Sequence, residues 1–302
     1  MIRVFNVSKE YVNERIDKYL NENMLEYSRS FIQKLAKEGK IKVFDTACKQ
    51  GYKVQEGDMI FVEIEDPKPL DIEPENIPLD IVYEDDDVIL INKPKKMVVH
   101  PAAGHATGTL VNALVYHLGD NLSGINGVMR PGIVHRIDMD TTGIIIVCKN
   151  DKSHISISNQ LKEHTVERRY HAIVHGVIEE DEGTVDAPIG RDPKNRLRMA
   201  IVSDGGKHAV THYKVLKRFN NYTYIECKLE TGRTHQIRVQ MNSINHPLLG
   251  DKLYGNCKSP MKLEGQTLHA KTLGFVHPTT NEYMEFDSKL PDYFEHLLEI
   301  LN

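Results

Sequence analysis

The spacing of apolar side chains changes period several times along this chain, and each change marks an element. Arg15-Ile16-Asp17-Lys18-Tyr19-Leu20 carries its apolar residues at helical spacing. Ser30-Phe31-Ile32-Gln33 reads as a capping box opening a second short helix that includes Leu35. Gly39 closes that helix, because glycine takes the left-handed backbone freely. The period then falls to two, and Lys40-Ile41-Lys42-Val43 and residues 59–64 predict strands. Ile81-Val82-Tyr83 and Val88-Ile89-Leu90-Ile91 predict two more about an acidic turn. Residues 109–117 predict a helix with Leu110, Ala113, Leu114 and His117 on one face. Ile144 to Val147 is a continuous β-branched run, the mark of a buried strand. Beyond it, 153–164 reads as a helix, 168–174 and 221–229 as strands, and Thr231 to Val239 as a turn through Gly232 into a short helix or extended segment. The patterns LHAKTLGFVHP and EYMEF predict the last strands, before a closing helix at 291–301. Between these, PIGRDPKNRLRM and SDGGKHAVTHYKV have the turn residues and charges of a flexible basic loop.

This order of strands and helices predicts an α+β protein, and 302 residues suffice for one large domain and a smaller one. A compact module is expected at 1–65. A proline-rich, acidic connector follows at 66–80, extended because proline removes amide donors, and the two units it joins should move independently. The large domain is expected at 81–302, with the protein a monomer.

Net charge is −5, yet 61–90 alone holds eleven acidic residues against one lysine, so the total conceals a basic remainder. Two windows concentrate the excess. Residues 28–53 have seven Lys/Arg against two acids and 191–218 have eight against two, which suggests a polyanionic partner. The chain start, MIRVFNVSKEYVNERIDKYL, turns polar at once, and no apolar run approaches the roughly 18 residues of a membrane span, so a cytoplasmic protein is expected. Cys48, Cys148, Cys227 and Cys257 form no C-x-x-C pair, and no metal-ligand spacing occurs among fifteen histidines; reduced structural thiols and no metal are expected.

The chemistry is expected in Gly132 to Lys149, GIVHRIDMDTTGIIIVCK, where a polar loop runs into the buried strand. Asp138 and Asp140 lie there beside a histidine and an arginine, and a carboxylate next to a guanidinium stays ionised and oriented. Asp138 is therefore a candidate nucleophile. Tyr170 lies on a strand between basic residues, in the core or facing a cleft. Arg233 and Arg238 are five apart, so on a helix they would diverge by more than about a hundred degrees, one into a cleft and one outward. In the amino-terminal module, Arg29, Lys34, Lys37 and Lys40 are expected near one helix end, where donors gather for phosphates.

Four stretches together, NKPKKMVVHPAAG…GTLVNAL, GIVHRIDMDTTG, RRYHAIVHG and LETGRTHQIRVQM, resemble the RluA/RluD-type pseudouridine synthases over roughly residues 80–300. The module at 1–65 resembles the S-four-type RNA-binding domain in its R-I-D-K-x-L, S-R-S-x-I-Q-K-L and G-x-K-V-x-x-G-D segments. One departure is Ile137, where leucine is commoner. The resemblance implies a mixed, mainly antiparallel sheet with a central cleft, a small α/β RNA-binding domain, and isomerisation of uridine in RNA without a cofactor. It makes Asp138 the catalytic aspartate, pairs it with Arg238, packs Tyr170 against the target uracil, and sets Arg136 and Arg233 toward the RNA. It points to large-subunit ribosomal RNA or its precursor particle, with transfer RNA as the alternative. Two other readings stand beside it: an inactive RNA-binding protein, which the intact Asp138, Tyr170 and Arg238 oppose, and a retaining hydrolase using Asp138 and Asp140 about 5 Å apart. Carboxylates at i and i+2 on one loop need not face each other.

Overall fold

The computed structural model describes residues 2–24, 27, 29–49, 51–64, 72–101, 104–119, 121–125, 131–195, 197–255 and 258–302. The chain divides into two units, Met1–Asp71 and Ile72–Asn302. The first holds β1 (Ile2–Asn6), α1 (Ile16–Asn23), α2 (Arg29–Lys37), β2 (Ile41–Val43), β3 (Thr46–Ala47) and β4 (Met59–Glu63), with an antiparallel sheet in the order β1-β4-β2-β3. Alternation puts Ile41, Val43, Ile60 and Val62 in one core with Ile16, Leu20, Ile32 and Leu35 of the helices. Asp17 fastens the two helices together. Fully buried, it accepts from Nε of Arg15 and of Arg29 and from Gln33 Nε2. Burial opposes its charge, but these donors prevail and hold its pKa at about 2. α2 begins at Arg29, one residue before the expected cap position, and Gln33 donates to Asp17. Gly39 closes α2 at a φ of 74°, with Lys40 N–H bonding back to Leu35 O at 2.9 Å.

In the second unit, residues expected to form part of the connector are bound down. Asn112 donates from its side chain to Glu73 O at 2.9 Å and accepts from Glu75 N–H through its carbonyl at 3.1 Å; Glu75 Oε1 takes Gly108 N–H, and Asp80 O takes Asn92 N–H. Chain from Ile72 onward thus belongs to the larger unit, and 65–71 lie outside the described residues.

The larger unit is built on nine strands: β5 (Ile81–Glu84), β6 (Val88–Lys93), β7 (Thr142–Cys148), β8 (Glu167–His175), β9 (Glu182–Asp186), β12 (Val210–Arg218), β13 (Tyr222–Leu229), β14 (Leu268–Val276) and β15 (Tyr283–Asp287). Their order is β5-β6-β7-β14-β8-β13-β12-β9, with β15 on β14, and every pairing is antiparallel except β7 with β14. A separate hairpin joins β10 (Ile189–Arg191) to β11 (Met199–Ile201). The helices are α3 (Leu110–Leu118), α4 (Asp151–Lys162), α5 (Gln236–Ser243) and α6 (Asp292–Ile300). Reciprocal capping boxes open α3 at Thr109 and Asn112 and α4 at Asn150 and Ser153. On one face of the sheet Tyr170, Ala172, Ile225 and Cys227 pack with Ile237 and Met241 of α5. On the other, Ile173 and Tyr224 meet Phe294 and Leu297 of α6.

The stretch read as a flexible basic loop is instead a hairpin and a nine-residue strand, β12. Its inward position Thr211 is fully buried but polar, bonding Gln240, and this masks the alternation. Burial pushes the Cys148 thiol up to about 12 and raises that of Cys227 too; both are structural, Cys48 is half-buried, and Cys257 lies outside the described residues. Among the described residues no helix is long and apolar enough to cross a membrane.

Candidate active site

The parallel junction of the sheet creates the place for the loop that carries Asp138. β7 meets β14 only at Thr142 and Gly143, and the two strands then separate. Chain at 132–135 fills the gap along β7: Ile133 bridges to Val147, Cys148 N–H bonds Gly132 O, and Ile146 N–H donates to His135 Nε2 at 3.0 Å. That bond requires a lone pair on Nε2, and burial with the nearby Arg168 charge pulls the His135 pKa down to about 3. His135, the histidine beside the aspartates, is a structural member of the sheet.

The loop then turns at 138–141, closed by Thr141 N–H on Asp138 O. Beneath the turn lies Lys93, at the end of β6 and fully buried. Its ammonium donates to three carbonyls, Pro94 O at 2.7 Å, Met97 O at 2.8 Å and Met139 O at 2.9 Å. Burial draws its pKa down to about 7, against the charges of Asp140 and Asp138.

Arg238, on the enclosed helix α5, reaches Asp138 Oδ2 through Nη1 at 2.8 Å. Its other edge is taken bidentately by Asp251, Nε to Oδ2 at 2.7 Å and Nη2 to Oδ1 at 3.0 Å. Side-chain exposures are 17% for Asp138, 9% for Arg238 and 1% for Asp251, so one guanidinium serves two carboxylates largely shielded from water. Although burial works against its charge, the two acids raise the Arg238 pKa above its ordinary value. Asp251 is held in turn by Leu253 and Tyr254 N–H on Oδ1. Tyr170 is buried in the same cluster as Ile137 and Ile237, the neighbours of Asp138 and Arg238. Burial raises its pKa, the Arg168 charge opposes this, and the charge of Asp138 adds to it. Asp140 parts from Asp138: it rests against Gly265, where an added Cβ would come within 2.4 Å of its own Cβ, so the two carboxylates hold different surroundings.

This geometry sits in a chain whose residues 87–243 match the model of the RNA pseudouridylate synthase family and whose residues 14–60 match that of the S4 domain. The chain belongs to the RNA pseudouridylate synthase family. An RNA pseudouridine synthase of Bacillus subtilis (strain 168), YlyB, itself uncharacterized, is 54% identical over 294 residues, covering 97% of this chain and 96% of its own. A ribosomal large subunit pseudouridine synthase D of Zymomonas mobilis is 44% identical, with 98% and 96% covered. Among solved structures, human RNA pseudouridylate synthase domain containing 1 superposes with a TM-score of 0.57 at 25% identity, covering 78% of this chain and 97% of that one.

In this pseudouridylate synthase, Arg136 is exposed on the loop beside Asp138. Arg233 precedes α5, so it and Arg238 do not share a helix; its Nε donates to His208 O at 2.9 Å while Arg238 turns to the acids. The expected basic helix end is also revised. Arg29 and Lys37 are the first and last residues of α2, about 12 Å apart at 1.5 Å per residue. Arg29 is tied to Asp17, Lys34 and Lys40 both approach Glu38, at 3.8 and 3.2 Å, and Lys37 is exposed. Four further residues meet at the site without a role assigned from sequence: Lys93 and His235, which fall inside the motifs, and Asp251 and Tyr254, which do not. Lys93 reads as the polar exit of a strand and Asp251 as a turn residue after Gly250; their bonds to Met139 and Arg238 tie them to the site.

Proposed function

We propose that this pseudouridylate synthase isomerises uridine in large-subunit ribosomal RNA, with Asp138 acting on the glycosidic bond of a nucleotide drawn from its stack into the cleft. The observation that carries this reading is the guanidinium shared between Asp138 and Asp251. Asp251 saturates one edge of Arg238, so Asp138 is oriented by a single donor and keeps an oxygen for substrate. In the reaction the N1–C1′ bond breaks, the base turns, C5 bonds to C1′, and the proton lost from C5 is balanced by one gained at N1. No atom or electron is exchanged overall, so no cofactor is called for. Tyr170 gives the uracil a packing face, and Arg136 and Arg233 meet the flanking backbone. Unstacking costs a few kcal/mol, which these contacts offset. The choice of RNA rests on relatives named for the large ribosomal subunit and on the S4 match, whose Arg29, Lys34, Lys37 and Lys40 we assign to phosphate contact.

RNA labelled with tritium at uridine C5 tests the reaction, because bond formation at C5 releases the label. Parent enzyme should release it from a large-subunit RNA and yield a nucleoside of unchanged mass. Asp138→Asn should abolish release while RNA affinity stays within a fewfold, since the carboxylate contributes little to phosphate binding. Appreciable release by Asp138→Asn overturns the catalytic assignment; release from transfer RNA alone overturns the substrate and leaves the reaction.

A further inference from the structure

His235 stands immediately before α5 with a φ of 56°, a left-handed conformation uncommon outside glycine. Its ring nitrogens face different partners: Nδ1 lies 2.8 Å from Tyr254 Oη, and Nε2 lies 3.8 Å from Asp138 Oδ2. A third bond fixes the direction of the first. Met199 N–H donates to Tyr254 Oη at 2.8 Å, and among the described residues the tyrosine hydrogen has no acceptor other than His235 Nδ1. Nδ1 therefore uses its lone pair, and the proton of the neutral ring is on Nε2, aimed at the oxygen that Arg238 already holds.

We propose that His235 is a positioning residue for Asp138: a neutral Nε2–H donor, fixed in that tautomer by Tyr254, that closes onto Oδ2 when substrate expels water and leaves Oδ1 to the nucleotide. This deepens the assignment of Asp138 made above and rests on it. Oδ1 has no hydrogen-bond partner among the described residues. The 3.8 Å gap suits a contact that tightens only when the cleft is filled. The charged groups facing the ring are Asp138 and Arg136 from the loop, Arg238 from its own helix, and Asp251 from the turn that also bears Tyr254. Two acids oppose two guanidiniums, so the tautomer is set by the tyrosine bond. The tyrosine is itself held by the hairpin: its ring lies 5.2 Å from the Arg198 guanidinium and 5.1 Å from that of Arg238, and Met199 opens β11. Seating of the basic hairpin thus determines which nitrogen of His235 carries the proton.

Turnover, KM and RNA affinity measured from pH 5.5 to 8.5 test this. His235→Ala should lose about 100-fold in kcat with KM nearly unchanged, the scale of loss seen when the support of a reactive group is removed. His235→Gln, whose amide nitrogen replaces Nε2–H, should recover to within about tenfold of the parent. Tyr254→Phe frees the Nδ1 lone pair to take a proton as the pH falls, although burial still holds the ring below its ordinary range. A cation then stands beside Asp138, and an acid limb absent from the parent should appear. The double variant Tyr254→Phe/His235→Gln should lose that limb. Equal losses at every pH, without rescue by glutamine, would overturn the proposal, as would parental kcat in His235→Ala. Asp138→Asn separates the two readings: if it is inactive while His235→Ala is normal, only this proposal fails. Should His235→Ala not fold, the glutamine rescue and the tyrosine pH profiles decide.

Discussion

Lys93 has a place in the site that its chemistry alone would not assign. Its three ammonium protons match three carbonyls, one of them the carbonyl of Met139 beside Asp138, so it clamps the turn from below. Lys93→Met keeps the bulk but leaves three buried acceptors without a donor. We expect a loss of about 2–4 kcal/mol in stability and a fall in turnover with RNA affinity retained. The pH dependence is a second mark. With a folded pKa near 7 and an unfolded value of about 10.4, the unfolded chain binds more protons between those limits. The Lys93 contribution to stability therefore rises with pH from about 7 to about 10, and below 7 its full penalty applies. Denaturant midpoints across that range should climb less in Lys93→Met than in the parent; parallel curves would remove Lys93 from the account. The pairing of Asp138 with Arg238 was legible because short motifs carry both residues. The contacts of Lys93 with Met139, of Asp251 with Arg238 and of Tyr254 with Met199 and His235 were not, because they join residues distant in sequence and no local pattern encodes such a contact.

At the scale of elements, Gly143 is where the loop, β7 and β14 meet. Its φ is 108°, and an added Cβ would lie 2.2 Å from Ala270 O and 2.6 Å from Ala270 N. Gly143→Ala must push two strand backbones apart at their only parallel contact, so a loss of at least about 3 kcal/mol is expected, with turnover falling as the loop shifts. Gly39→Ala is the control. There φ is 74° and nothing lies within 4 Å of the added carbon, so only the left-handed cost of about 1–2 kcal/mol applies. Similar denaturant midpoints for the two variants would contradict this account of the junction. Most elements could be read from periodicity, since β7 is buried throughout and β-branched from Ile144 to Val147, and α3 and α4 carry their own caps. β12 could not. Its buried Thr211, its partly exposed His212 and its exposed Lys214 look polar on both faces until β9 and β13 flank it. The second half of the connector misled for a related reason: its prolines are real, but Glu75 and Asn112 bind the segment to α3.

For the molecule as a whole, the larger unit has its own core from Ile72 onward, and removal of 1–71 should leave it folded with intact circular dichroism. RNA binding should weaken. Each lost phosphate contact lowers the salt slope by roughly 0.7–0.9, but Arg29, Lys34 and Lys40 are partly answered by Asp17 and Glu38, so a decrease of about 1–2 is expected rather than 3–4. Unchanged affinity and slope in filter binding would exclude the smaller unit from RNA contact. The sheet also dictates when the enzyme can come into being. β14, which joins β7 to β8 at the centre, is supplied by residues 268–276, more than a hundred positions after the loop it supports. Chains grow at about 5–20 residues per second, so β7 waits several seconds, and β8 nearly as long, with the edge that will meet β14 unpaired. Those edges are the ones most exposed to wrong pairing during synthesis. A growing chain lacks the β7–β14 junction at the foot of the Asp138 loop until residue 276 has been made, so turnover of uridine is expected only after that point.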